Sequence, residues 1–258
     1  MATKKKSEVE LGDLIRVQHE RIRYHVVGMT PMIIRRLSEK AKGELLMPAG
    51  RKSSAEKATS LKHNPITEFR DSPYTLVDDN EPTLLAQPSA CFKRAIATAA
   101  IDIPGAAKAQ IGRLLWVNRE KTPIYGIPKL HMCITRDASI ARTPDVRTRC
   151  IIPEWAAIVD VTYVTPIIRE PVVSGLLAAA GITQGIGDWR PQKGAGTYGQ
   201  FQIVDPDDDD FVRIAKAGCR AAQQKAMRDA EPYNRETEEL LAWFVKEADR
   251  RGIREVLS

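Results

Sequence analysis

Residues 185–199 read Gly-Ile-Gly-Asp-Trp-Arg-Pro-Gln-Lys-Gly-Ala-Gly-Thr-Tyr-Gly, five glycines in fifteen residues, interleaved with Trp189, Arg190, Lys193 and Tyr198. Glycine tolerates positive φ and lets another backbone approach closely, as Gly185 and Gly187 would allow at the loop's entry. Arg and Lys supply contacts to phosphates, and Trp and Tyr offer faces on which a base stacks. The spacing is wrong for a GxxxxGKS/T phosphate loop and for the GxGxxG dinucleotide turn. The chemistry indicated is a grip on a nucleic-acid backbone. A plain glycine connector, with Trp189 packed as a lid, would have the same composition.

A second stretch, 134–151, contains Arg136, Arg142, Arg147 and Arg149 and no lysine. The planar guanidinium binds phosphate through two parallel hydrogen bonds and stacks on bases, so this bias favours recognition over mere solubility. Asp137 and Asp145 offer local partners, and a solvated loop with internal ion pairs is the competing reading. Lys93 and Arg94 stand near the start of an expected helix, where cations oppose the helix dipole and a nearby phosphate would remove the conflict. Arg51, Lys52, Lys57 and Lys62 lie among small residues and form a further candidate set of contacts.

Catalytic patterns are poor. His19, His25, His63 and His131 make no HxH or HxxxH pair, and neither Ser89 nor Ser174 sits in a nucleophile elbow. No metal site or cofactor is expected. The four cysteines are scattered without a CxxC pair, which fits reduced thiols in a cytoplasmic protein. The acidic run 207–210 is expected to start a helix rather than hold an ion.

These groups need a scaffold to position them. The chain has 258 residues, 43% hydrophobic, enough for one elaborated core. Net charge is +6 with an isoelectric point near 9.1, compatible with a polyanionic partner but weak evidence alone. No apolar run reaches the roughly 20 residues of a membrane span, and no secretory signal follows the opening lysines. Ile22, Tyr24 and Val26 alternate with Arg21, Arg23 and His25, a strand with a basic outer face. Thr30-Pro31 reads as the start of a helix using Ile33, Ile34, Leu37 and Ala41. Residues 48–81 are too polar to pack and are expected to form a long loop or protruding insertion. Helix 90–100, strands 111–116, 129–135 and 156–164, and helix 170–180 ending before Gly181 follow. The glycine loop, a strand at 200–204, and helices at 211–229 and 235–251 complete the chain. The expected organisation is a polar lead-in (1–19), a main domain (20–204) and a C-terminal acidic turn with helices (205–258).

Three of these stretches carry a family likeness. An early strand runs into a glycine and proline turn, Ile22 to Val27 followed by Gly28-Met-Thr-Pro31. Proline and small residues lead into a basic helix, Gln87-Pro-Ser-Ala-Cys-Phe-Lys-Arg94, like the family's IPGSSLKGALR type of segment. A small-residue helix precedes the glycine loop and a Gly-x-Phe strand, Tyr198-Gly-Gln-Phe201. Over residues 20–204 the chain thus resembles the RAMP superfamily, in particular the crRNA-binding backbone subunits of CRISPR effector complexes and their phage and mobile-element relatives. Asp188 and Pro191 interrupt the compact glycine loop of some members.

The resemblance implies an α+β, modified ferredoxin-like (RRM-like) β-α-β-β-α-β sheet with a thumb or finger insertion and C-terminal helices. It implies a non-catalytic RNA-binding subunit of a ribonucleoprotein in antiviral defence. Its partners would be a guide RNA or other single strand (single-stranded DNA included), copies of itself in a filament, and other effector subunits. Two other classes remain open: an RNA endonuclease of the same superfamily, using His25, His131 or Tyr198, and a virion or assembly protein that touches no nucleic acid. Phosphate neutralisation releases counterions, so affinity for a strand of about 30 nucleotides should fall steeply between low and moderate salt. A filter-binding titration at several salt concentrations checks this, and a flat profile would count against a phosphate grip.

Overall fold

The computed structural model describes residues 16–37, 42–43, 46–47, 63–105, 107–136, 144–193 and 196–253, with only the backbone of residue 193. In chain order its elements are β1 (Gln18–Gly28), β2 (Met32–Ile34), α1 (Pro65–Asp71), β3 (Tyr74–Thr75), β4 (Leu85–Pro88), α2 (Ser89–Ala99), α3 (Lys108–Leu114), β5 (Leu115–Val117), β6 (Lys121–Tyr125), β7 (Lys129–Arg136), β8 (Pro144–Ile152), β9 (Ala156–Thr165), α4 (Glu170–Thr183), β10 (Phe201–Val204), α5 (Asp209–Ala217), α6 (Arg220–Arg228) and α7 (Arg235–Arg250). The class is mixed α+β, built on a curled antiparallel sheet.

The larger sheet runs β10-β1-β9-β6-β4-β3, with β5 also paired to β9. β9 is β-branched and buried on both faces, as a central strand should be. β1 lies beside it over Gln18–Val27, with Tyr24 and Val26 buried and Arg21 and Arg23 exposed. Helices α2 and α4 pack on each other, and the core includes Phe92, Trp155, Val159, Val161, Leu177 and Phe201. On the opposite face α5 lays Phe211 and Ile214 against Val27 and Ala156. The acidic run opens α5 as expected, the Asp208 carboxylate accepting from the Phe211 N–H at 2.9 Å. A second, three-stranded sheet has the order β2-β8-β7.

Several expectations change. Met32, Ile33 and Ile34 form a strand and not the start of a helix; all three are buried, and a lone apolar stripe could not bury three consecutive side chains. Ala41 lies outside the described residues. The expected strand at 111–116 is mostly α3, and the strand begins at Leu115. α4 continues through Gly181, which packs against β10: a Cβ there would sit 2.0 Å from the Phe201 carbonyl oxygen. This glycine serves close approach, not helix termination. The helix expected at 211–229 is two, broken at Gly218-Cys219. Within the expected insertion, residues 63–76 are largely packed, whereas Val77 to Asn80 are exposed. α1 buries Pro65 and Phe69, and the Ser72 hydroxyl accepts from the Cys150 N–H of β8 at 2.7 Å. Residues 48–62 lie outside the described set.

One buried side chain ties α6 to the larger sheet. Gln223 is 0% exposed. Its Oε1 accepts from the N–H groups of Leu84 and Leu85 at 2.8 and 2.9 Å, and its Nε2 donates to the carbonyls of Ile124 and Gly126 at 2.8 and 2.9 Å. All four of these bonds go to main-chain groups, three of them buried. Gln223→Leu keeps the volume but orphans these partners, so it should cost about 2–4 kcal/mol. Thermal and urea denaturation should register that loss, and an unchanged midpoint would show that the clamp contributes nothing.

Candidate nucleic-acid interface

The β7–β8 pair decides where the arginines go. Its register sets His131 opposite Arg149, Cys133 opposite Arg147 and Thr135 opposite Asp145. Opposed residues share a face, and successive residues alternate faces. Arg147 and Arg149 therefore project from the same side as His131, Cys133 and Thr135. Thr148, Cys150, Leu130 and Met132 occupy the other side and are buried. β2 extends this pattern, since Ile33 pairs with Ile151. Arg35, just beyond β2, joins the same cleft.

The glycine loop closes it. The Asp188 N–H donates to the Ile33 carbonyl at 2.8 Å, and the Gly199 N–H donates to Pro31 O at 2.8 Å. The result is a cleft of about 280 Å³ lined by Arg35, Arg136, Arg147 and Arg149, with Asp188, Trp189 and His131 in its wall. Asp188 is the one carboxylate among the described lining residues, and it lies 3.8 Å from Arg35. Burial, then the neighbouring Arg35 and Arg147, lower the Arg149 pKa, opposed by Asp188 and Glu68. Excess positive charge in a half-dry cleft is the electrostatic state that a bound phosphate relieves.

His131 is 5% exposed, and its Nδ1 has no hydrogen-bond partner. Burial lowers its pKa, Glu236 opposing, so the neutral ring is favoured near neutrality. Tyr233 meets it edge-on with centroids 5.6 Å apart.

The candidate residues thus separate. Arg136, Arg147, Arg149 and Trp189 come together in the cleft, and Tyr198 stacks beside Trp189 with parallel rings 6.3 Å apart. Gly185 and Gly187 adopt the positive φ expected of them, at 62° and 85°. Arg190 turns back into its own loop, donating to Gly187 O at 2.7 Å and to Gln192 Oε1. Lys93 and Arg94 sit on α2 and do not line the cleft. The single groove expected to join them to the arginine stretch is therefore not formed by the cleft itself. Arg51, Lys52, Lys57, Lys62, Arg142 and the Lys193 side chain lie outside the described residues.

Arg35 is not among the residues the sequence pattern singles out, because the apolar spacing before it suggests a helix where the structure has β2. Nor does the pattern show the alignment of His131 with Arg149, which depends on register. Of the other catalytic candidates, His25 belongs to the larger sheet and packs edge-on against Phe211 at 4.8 Å. Among the described residues no group of three or more His, Cys, Asp or Glu is placed to hold a metal ion, and no helix is long and apolar enough to cross a membrane.

No protein-family model matches the sequence, and no curated protein matches it. Among solved structures, the chain is similar to Cmr6 from Pyrococcus furiosus, with 9% identity and a TM-score of 0.34, covering 72% of this chain and 98% of that one. It is also similar to a chain in the Type III-B Cmr-beta complex bound to cognate target RNA, with 12% identity and a TM-score of 0.33, covering 72% of this chain and 59% of that one. Likeness at this level defines neither a shared fold nor a shared role.

Gly187 tests how tightly loop and cleft are joined. At φ 85° a side chain is strained, and its Cβ would lie 2.5 Å from the Ile33 carbonyl oxygen. Gly187→Val should destabilise the protein by about 2 kcal/mol or more in a denaturant melt. A wild-type melting curve would mean that the loop is not pinned to β2.

Proposed function

We propose that this chain is a non-catalytic RNA-binding subunit that grips backbone phosphates in the arginine cleft. The observation that carries the reading is the convergence of Arg35, Arg136, Arg147 and Arg149 on one cleft, against a single carboxylate among the described lining residues. Contacts of this kind hold a strand without reading its sequence, which base pairing then supplies.

The strand order supports the ferredoxin-like part of the reading. β1, β6, β9 and β10 lie side by side as β10-β1-β9-β6, the order 4-1-3-2 of a β-α-β-β-α-β unit, with α2 between β1 and β6 in sequence and α4 between β9 and β10. The smaller sheet and the C-terminal helices are then elaborations. In this reading copies of the chain line up along a guide or other RNA beside further effector subunits, in the cytoplasm. It serves either a CRISPR complex or a stand-alone phage or mobile-element relative.

RNA cleavage is the second reading, favoured by one observation: His131, whose ring burial keeps neutral, is among the residues lining the same cleft. General base catalysis at a 2′-OH would need such a group. Incubation with end-labelled RNA separates the two, because cleavage products support the enzyme and intact RNA supports the grip.

Arg147→Ala/Arg149→Ala should weaken RNA binding at least about tenfold, since each guanidinium contributes charge-assisted hydrogen bonds. The melting temperature should change little, because the substitution also removes like-charge repulsion. Unchanged affinity with an intact fold would put the RNA elsewhere and favour an assembly protein that binds none.

A further inference from the structure

Trp189 has an unusual backbone. It and Arg119 are the only described non-glycine residues with positive φ, 54° for Trp189. Such a conformation costs a bulky residue roughly 1 kcal/mol or more. Strain of this kind persists only where surrounding bonds enforce it. Here the Asp188 N–H donates to Ile33 O at 2.8 Å on one side, and the Tyr198 N–H donates to Trp189 O at 3.2 Å. Arg190 braces the same turn through Gly187 O.

The indole so mounted gains little from burial, being 45% exposed. Packing alone does not account for a strained position that presents an aromatic surface to solvent. Its location does: Trp189 lines the cleft that holds Arg147, Arg149 and Arg35. Tyr198 lies parallel to it at an interplanar angle of 8°, fixing the ring's orientation.

Resting on the phosphate-grip reading, we infer that Trp189 and the arginine cluster form a subsite for one unpaired nucleotide. The phosphate lies on Arg147 and Arg149, and the base stacks on the exposed indole. Stacking on a side chain requires a base with a free face, which a duplex does not offer. The subsite therefore makes the protein prefer single strands to duplexes, whichever base is present. It also gives Trp189 a role distinct from charge: the arginines set affinity for any polyanion, and the indole sets the preference for unpaired strands.

The test uses the full chain with a single-stranded RNA, the same sequence as a duplex, and the matching single-stranded DNA. Trp189→Gly removes the ring and suits the left-handed backbone, so the fold should survive, as circular dichroism and a thermal melt would show. Single-strand affinity should drop about tenfold, the scale of one stacked base, while duplex affinity stays the same. Trp189→Phe should recover most of the loss. AMP should quench part of the wild-type tryptophan fluorescence and leave the Trp189→Gly protein unquenched, whereas ribose 5-phosphate should quench neither. Loss of RNA binding in Arg147→Ala/Arg149→Ala with none in Trp189→Gly overturns the subsite and leaves the grip standing. No RNA or DNA binding by the wild type overturns both. Equal loss of single-strand and duplex binding in Trp189→Gly also overturns the subsite, because it would mark the ring as structural. DNA binding equal to RNA would show that the base and phosphate, without the 2′-OH, are what the subsite reads.

Discussion

The pairing register of β8 is the constraint on which the cleft depends. Strand side chains alternate faces, so a slip of one residue would carry Arg147 and Arg149 inward and Thr148 and Cys150 outward. Contacts from distant parts of the chain prevent that slip. The Ser72 hydroxyl holds the Cys150 N–H from α1's end of the molecule. On the free edge of β7, the Leu130 N–H donates to Glu231 O, the Tyr233 N–H donates back to Leu130 O, and the Met132 N–H donates to the Thr237 hydroxyl. The C-terminal segment thus serves as a bracket for the strand beside the arginines. Its helices, which fall outside the family resemblance, contribute to the site without entering it.

Holding several guanidiniums together costs stability. Each is stripped of some water, and each repels its neighbours, which is why burial, Arg35 and Arg147 depress the Arg149 pKa. The larger sheet shows the alternative arrangement. Arg21 and Arg23 on β1 share the Asp160 carboxylate of β9, at 2.6 and 2.9 Å. Burial works against that carboxylate, yet the two arginines hold its pKa below the usual range. In the sheet one carboxylate serves two guanidiniums, whereas in the cleft four guanidiniums face one carboxylate among the described lining residues. In the proposed reading, a bound polyanion would supply the missing charge.

Much of the fold could be read from the sequence where pattern and environment agreed. The alternation of Ile22, Tyr24 and Val26 gave β1, and the β-branched run from Ala156 gave the central strand. Helices α2, α4 and α7 followed from good helix formers within a residue or three of their ends. The failures share a cause. Met32 to Ile34, Gly181 and residues 63–72 are shaped by partners far away in sequence, and local pattern carries no record of them. The same limit applied at the site. Composition pointed to the glycine loop and to Arg147 and Arg149, but only register reveals that His131 and Arg35 share their face. Arg190 looked equivalent to its neighbours until its hydrogen bonds to Gly187 and Gln192 showed its guanidinium already engaged within the loop.

The loop also couples the two sheets. It leaves α4, touches β2 through Ile33 and Asp188, and rejoins the larger sheet at β10, where the Met29 N–H donates to Gln200 O at 2.8 Å. Displacement of either sheet would therefore move Trp189 relative to Arg147 and Arg149. A site assembled across two sheets keeps its geometry only if their connection is stiff. The β1–β2 link supplies part of that stiffness, since Trp155 donates its indole N–H to Thr30 O at 2.9 Å from a fully buried position. Rigid mounting matters more for a stacking ring than for an arginine. A guanidinium on a long stem can follow a phosphate over some distance, whereas a ring stacks only where its plane is already set. The strained backbone at Trp189 and the fixed junction beneath it are thus two parts of one requirement, that the ring be in place before a ligand arrives.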